Sequence, residues 1–211
     1  MNKKAIIFDL DNTIYPVSSI GDQLFAPLLQ LIHKSGELND VIADLRSAIQ
    51  RKPFQYVAEQ YGMSAELKNN GLALLKELAY EGHMCTYPGY ESVRNLPQVK
   101  HLVTAGFTKL QWSKIEQLGI SDDFKSIHII DRMNSDDTKK DVFNKIRELN
   151  GYDIAALLVV GDDPESEIKD GMAIGMDVIW LDSLNLGYNI PYVPKVNTLM
   201  EVAAYIRSNF G

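Results

Sequence analysis

The chain has 211 residues, of which 45% are hydrophobic and 23% charged, a composition typical of a protein with one full apolar core. Its formal charge of −7 argues against nucleic acid and acidic membrane surfaces as partners, because both would be repelled. One cysteine, Cys85, excludes an internal disulfide, and the first residues show no signal-peptide pattern, so we expect a cytoplasmic protein.

Short apolar runs predict five buried strands, at residues 5–8, 101–104, 127–130, 156–160 and 177–181. Helical periodicity follows or separates the later runs, at residues 109–118, 139–149, 165–174 and 199–208. Strands that alternate with helices and lack polar alternation are typical of α/β proteins. The pattern therefore predicts a Rossmann-like parallel sheet with helices on both faces.

The stretch between the first two predicted strands has no strand pattern. Four apolar stripes at helical spacing predict four short helices there. We expect an inserted all-helical cap over residues 15–85 and a core domain made of residues 1–14 and 86–211. In open α/β sheets ligands bind beyond the carboxyl ends of the strands, so an insertion that leaves at this point should cover the site.

Two aspartates, Asp9 and Asp11, end the first predicted strand. Alternate side chains of an extended chain point the same way, so both carboxylates should face one small volume. A cation or a shared proton must relieve their repulsion, and Mg²⁺ suits an oxygen-rich site that also receives a substrate phosphate. A second acidic cluster, from Asp162 to Glu167, follows another buried run, and parallel strands would bring it to the same edge.

Four motifs in this order resemble those of the haloacid dehalogenase-like (HAD) hydrolase superfamily, over nearly the whole chain. The corresponding segments are Asp9-Leu10-Asp11-Asn12-Thr13, the strand that ends in Thr104-Ala105-Gly106, a lysine within Asp137-Thr138-Lys139-Lys140, and the run from Gly161-Asp162 to Glu167.

The resemblance implies phosphoryl transfer through an aspartyl-phosphate on Asp9, with Asp11 as general acid and then general base. It also implies that Thr104 and Ala105 bind the phosphoryl oxygens, helped by a lysine of the third motif. Mg²⁺ would be held by Asp9, by the backbone carbonyl of Asp11 and by Asp162.

Three assignments leave alternatives open. Lys139 and Lys140 are adjacent, and we prefer Lys139 because its spacing to Phe143 resembles that of the family lysine. Glu167 stands where many relatives have aspartate. It could bind a metal-bound water, brace Lys139 or simply favour the first turn of a helix, and the role of Asp163 is equally open.

By resemblance, dehalogenating members of the superfamily lack an acid at this position, so Asp11 favours phosphatase or phosphomutase chemistry. The sequence thus predicts a magnesium-dependent phosphatase for a small phosphorylated metabolite, such as a nucleoside or sugar phosphate. The alternatives are a phosphomutase of the β-phosphoglucomutase type and a non-catalytic binding protein on the same fold. The oligomeric state is not predicted.

Overall fold

One parallel sheet forms the centre of the molecule in a computed structural model, which describes residues 2–187 and 189–210. Within these residues the sheet has six strands: β1 Ala5–Phe8, β2 Val99–Ala105, β3 Ser126–Ile130, β4 Leu157–Gly161, β5 Asp177–Leu181 and β6 Lys195–Val196. Their order is β3-β2-β1-β4-β5-β6, with every neighbouring pair parallel. The predicted parallel sheet is confirmed, whereas β6 was not predicted because two residues carry no periodicity.

Ten α-helices lie within the described ranges. They are α1 Gly21–Leu24, α2 Ala26–Ser35, α3 Ile42–Ile49, α4 Phe54–Gln60, α5 Ala65–Glu77, α6 Tyr90–Arg94, α7 Thr108–Leu118, α8 Lys139–Asn150, α9 Lys169–Ala173 and α10 Leu199–Phe210. Among the residues that the structure describes, no helix is both long and apolar enough to cross a membrane.

The prediction of a continuous helix over residues 165–174 is wrong for the first half of this range. A π-helical turn, Pro164–Ile168, precedes α9, and Ser166 has non-helical backbone angles. At this break the side chain of Glu167 accepts a hydrogen bond from the backbone N–H of Asp163. Periodicity alone misses such a break, because residues 165–167 are all polar and carry no apolar spacing that could reveal it.

Both faces of the sheet are buried, as the fold class requires. Alternate residues of β1 belong to two different apolar clusters, Ile6 and Phe8 on one face and Ala5 and Ile7 on the other. Helices α6, α7 and α10 contribute to the first cluster and α8 to the second. The prediction of helices on both faces is confirmed.

The segment between β1 and β2 is helical and contains α1 to α6. Helices α2 to α5 lie over the four predicted stripes, and their buried side chains form a third apolar cluster that includes Leu28, Leu45, Val57 and Leu75. The division into a core domain and a cap at residues 15 and 85 stays a prediction. Its outer bounds, residues 1 and 211, lie outside the described residues.

His101, on β2, is fully buried and has an unusual environment. Its Nδ1 lies 2.7 Å from the Ser126 hydroxyl, and its Nε2 has no hydrogen-bond partner within the described part of the chain. Burial, helped by the charges of His128 and Lys125, lowers the pKa of His101 to about 4. The folded protein therefore keeps this ring neutral at pH values where an unfolded chain would protonate it.

Acid should weaken the fold through His101. The stabilising contribution of the neutral ring is complete above the unfolded pKa of about 6.5 and is lost as the pH falls towards 4, because the unfolded state then binds more protons. We expect a loss of about 3 kcal/mol in the unfolding free energy over this interval. In His101→Asn the unfolding free energy should fall less steeply as the pH decreases. Urea unfolding at several pH values would measure this slope. The exposed His33→Asn is the control, and equal slopes in wild type and His101→Asn would contradict the prediction.

Candidate active site

Carboxylates from two central strands meet at the carboxyl edge of the sheet. Asp9 directly follows β1, and its backbone N–H donates to the Val160 carbonyl at 3.0 Å, which keeps it in line with β4. Asp162 directly follows β4. Within the described part of the chain, Asp9, Asp162 and Glu167 each offer a carboxylate oxygen, and these oxygens lie within 4.8 Å of one another. We refer to these three side chains as the acidic cluster.

Lys139 contacts the acidic cluster from the first turn of α8. Its Nζ lies 2.6 Å from Asp9 Oδ1 and 2.6 Å from Glu167 Oε2. Helix α8 begins here because Thr138 and Asp141 form a reciprocal capping box. The neighbouring Lys140 is exposed. Of the two candidate lysines, the structure brings Lys139 to Asp9.

The electrostatics of the cluster are unbalanced, since three carboxylates face one ammonium group. Burial, reinforced by Glu167, raises the pKa of Asp9 to about 7 against the opposing effect of Lys139. Burial, Glu167 and Asp9 raise the pKa of Asp162 well above its usual range. Burial opposes the charged form of Lys139, but Asp9 and Glu167 outweigh it and raise the lysine pKa. A divalent cation would relieve this excess negative charge, and three hard oxygen donors suit Mg²⁺.

Glu167 braces Lys139, one of the three roles considered for it. One carboxylate oxygen accepts from Lys139, and the other accepts from the backbone N–H of Asp163 at 2.8 Å. Gly161 makes room for this arrangement, because a Cβ at that position would overlap the Glu167 side chain. The Asp163 carboxylate is not part of the acidic cluster as defined, and it accepts from the backbone N–H of Glu165.

The Asp11 carboxylate is not a member of the acidic cluster and has its own set of donors. Lys114 Nζ lies 2.8 Å from Oδ1 and 3.1 Å from Oδ2. The Tyr15 hydroxyl donates to Oδ1, and Gln111 Nε2 donates to Oδ2 at 2.9 Å. Burial alone would raise the pKa of Asp11, but Lys114 and the other donors outweigh it and lower the pKa. Asp11 is therefore ionised in this arrangement.

Thr104 and Ala105, at the end of β2, are joined to Asp11 through Gln111. The Gln111 amide nitrogen lies 2.5 Å from the Thr104 hydroxyl and 3.3 Å from the Ala105 carbonyl. On the other side, the Thr13 hydroxyl donates to Asp162 at 3.3 Å. The structure thus brings Asp9, Asp162 and Lys139 into one group, and Asp11, Thr104 and Ala105 into a second group.

Sequence reasoning missed three residues of the second group: Tyr15, Gln111 and Lys114. Gln111 and Lys114 lie three positions apart on α7 and are buried with Leu110 and Ile115. Polar side chains on the apolar stripe of a helix were the available signal, because buried polar groups need partners. Nothing in the local sequence indicates that the partner is Asp11, about a hundred residues earlier.

Comparison with known proteins assigns the chain to a family. Residues 3–171 match the family model for haloacid dehalogenase-like hydrolases, and the chain belongs to this family. The match includes the strand ends that carry the acidic cluster.

Two curated relatives resemble most of the chain. The HAD-hydrolase YfnB of Bacillus subtilis is 22% identical over 212 residues, covering 90% of this chain and 88% of its own. The glyceraldehyde 3-phosphate phosphatase of Methanopyrus kandleri is 23% identical over 193 residues, covering 82% of this chain and 81% of its own.

Solved structures agree with the fold. A phosphatase from Clostridium difficile superposes with a TM-score of 0.74 at 15% identity, covering 98% of this chain and 99% of its own. The YfnB structure, which is bound to magnesium, superposes with a TM-score of 0.59 at 20% identity, with coverage of 98% and 99%. At these identities the superpositions establish the shared fold only.

Proposed function

We propose that this HAD hydrolase is a phosphatase that hydrolyses a small phosphomonoester through an aspartyl-phosphate on Asp9. The observation that carries the proposal is a buried Asp9 carboxylate, paired with Lys139 at 2.6 Å, on the same strand end as a second acid two residues later. A carboxylate attacks phosphorus only when the phosphoryl charge is neutralised and held in line. Lys139 would offer the positive charge, and the Thr104 hydroxyl would donate a hydrogen bond to a phosphoryl oxygen.

In the proposed first step an Asp9 oxygen bonds to phosphorus, the bond from phosphorus to the ester oxygen breaks, and Asp11 protonates that leaving oxygen. In the second step Asp11 takes a proton from water, the water oxygen bonds to phosphorus, and Asp9 is released with inorganic phosphate. Asp11 must take up a proton before the first step, although in the present arrangement its partners keep it ionised.

The residues present fit Mg²⁺. The carboxylates of Asp9 and Asp162 lie within the acidic cluster, whose charge exceeds that of Lys139. We propose that these two side chains and the Asp11 backbone carbonyl would hold the ion, while Glu167 holds Lys139. When bound, Mg²⁺ would supply positive charge next to the phosphoryl oxygens.

We also propose that residues 15–85 form a cap over the cleft and select the substrate. The segment leaves the sheet directly after Asp9 and Asp11, has its own apolar cluster, and at its first residue, Tyr15, donates to Asp11. The substrate would then be a small phosphorylated metabolite, in keeping with the names of the M. kandleri and C. difficile proteins.

The test is phosphate release from a panel of sugar, triose and nucleoside monophosphates, with and without Mg²⁺. We expect turnover of at least one compound, which a chelator abolishes and added Mg²⁺ restores. Turnover that survives removal of all divalent cations would contradict the magnesium site. A chain that releases no phosphate from any compound would contradict the phosphatase and leave a mutase or a binding protein.

A further inference from the structure

We propose that Gln111 is a positioning residue that aims the Thr104 hydroxyl at the phosphoryl group and holds the Asp11 carboxylate beside it. This inference rests on the proposed phosphatase function. Gln111 itself would contact neither substrate nor metal, and it would act through the two side chains that its amide joins.

The contacts of Gln111 determine how its amide is oriented. The side chain is only 1% exposed, and the same nitrogen faces the Asp11 carboxylate at 2.9 Å, the Thr104 hydroxyl at 2.5 Å and the Ala105 carbonyl at 3.3 Å. A carboxylate and a carbonyl only accept hydrogen bonds, so the atom that faces them must be the NH₂ group. The neighbours of Gln111 thus exclude the flipped amide.

This orientation dictates what the Thr104 hydroxyl can do. A hydroxyl has one hydrogen and two acceptor lone pairs, and Gln111 occupies one of those lone pairs. The hydroxyl hydrogen cannot point back at the NH₂ group, so it must point elsewhere, where it is available to a phosphoryl oxygen. Without Gln111, the hydroxyl could rotate and turn its hydrogen towards another acceptor.

Lys114, one turn further along α7, holds the Asp11 carboxylate in place. Its ammonium group lies against both oxygens of Asp11 and is itself only 4% exposed. The Asp11 carboxylate therefore stays where the Gln111 amide can reach it. Both side chains come from one helix, α7, which follows directly from the loop after β2.

A double-mutant cycle between Gln111 and Thr104 tests the inference. The variants are Gln111→Met, Thr104→Val and their combination, assayed with the best substrate of the panel for kcat/KM and for competitive inhibition by inorganic phosphate. We expect each single change to lower kcat/KM and to weaken phosphate inhibition roughly tenfold or more, as is typical when the group that orients a ligand is lost. The inhibition constant of the double variant for phosphate should lie within about twofold of that of Thr104→Val. Once the hydroxyl is absent, Gln111 has no hydroxyl to orient.

Gln111→Glu provides an independent variant of nearly the same shape. Its carboxylate would accept the Thr104 hydrogen and repel Asp11, so we expect a larger loss than in Gln111→Met. Gln117→Met is the matched control, since Gln117 lies on the same helix but is exposed, and it should behave as wild type.

Each outcome is decisive. Losses that multiply in the double variant, or a Gln111→Glu protein as active as wild type, would overturn the positioning role while leaving the phosphatase intact. A wild-type protein that releases no phosphate would overturn the proposed function and this inference with it. Coupled losses, with Gln117→Met unaffected, would establish the role.

Discussion

Replacement of Asp9 by asparagine should reduce phosphate release by more than about 10⁴-fold, as loss of a covalent nucleophile does in other hydrolases. Asparagine has almost the same shape, and its amide oxygen can still accept a hydrogen bond from Lys139. It lacks the carboxylate oxygen that would bond to phosphorus, so the first step cannot occur. The measurement is phosphate release from the best substrate of the panel under saturating Mg²⁺.

The same variant should remain folded, which separates chemistry from stability. Asp9 is one of three carboxylates that share one ammonium group, and burial already raises its pKa to about 7. Neutralising it removes repulsion, so the unfolding free energy measured in urea should not fall. Asp136→Asn, at an exposed position, is the control for the substitution itself. If Asp9→Asn retained a hundredth of wild-type turnover, the covalent route through Asp9 would be wrong.

Replacement of Lys139 by methionine should have the largest effect on stability. The change leaves the Asp9 and Glu167 carboxylates buried without the ammonium group that lies 2.6 Å from each. Breaking a buried pair by removing one partner costs about 3–5 kcal/mol. We expect a loss of this size in the unfolding free energy at pH 7.5 without divalent cations, together with a loss of phosphate release of at least about 100-fold.

The pH dependence identifies the cause of that loss. Without Lys139 the pKa of Asp9 in the folded state rises further above its unfolded value, so the folded variant binds more protons than the unfolded chain as the pH falls. The stability difference from wild type should therefore shrink between pH 7.5 and 5.5. Lys140→Met is the matched control, because this adjacent lysine is exposed, and its effect should stay within about 0.5 kcal/mol. A Lys139→Met protein as stable as Lys140→Met would contradict the buried ion pair.

Much of the fold could be predicted because its signals are local. The apolar runs of β1 to β5 are short and bounded by polar residues, and their lack of alternation follows from burial on both faces of the sheet. The break at Ser166 and the two-residue strand β6 could not be predicted, because the residues around the break are polar and a two-residue strand carries no periodicity.

The sheet edge that carries Asp9 and Asp162 could be predicted in part, for a related reason. Asp9 and Asp162 directly follow apolar strands, and parallel strands bring such ends together whatever their separation in the chain. The preference for Lys139 depended on its spacing to Phe143, and the structure brings this lysine, rather than the exposed Lys140, to Asp9. The hydrogen bond from Gln111 to Asp11 could not be predicted, since it depends on how α7 packs against a loop about a hundred residues away.

The separate apolar cluster of helices α2 to α5 bears on the order in which the chain folds. Ala5 pairs with Val99, so the two strands can join only after the long intervening stretch has been brought into a compact form. Contacts within the helical segment are local and can form quickly, whereas the central strand pairings are among the most distant in the sequence. We expect the helices to form early and draw β1 and β2 together, so that the edge bearing Asp9 and Thr104 is assembled last.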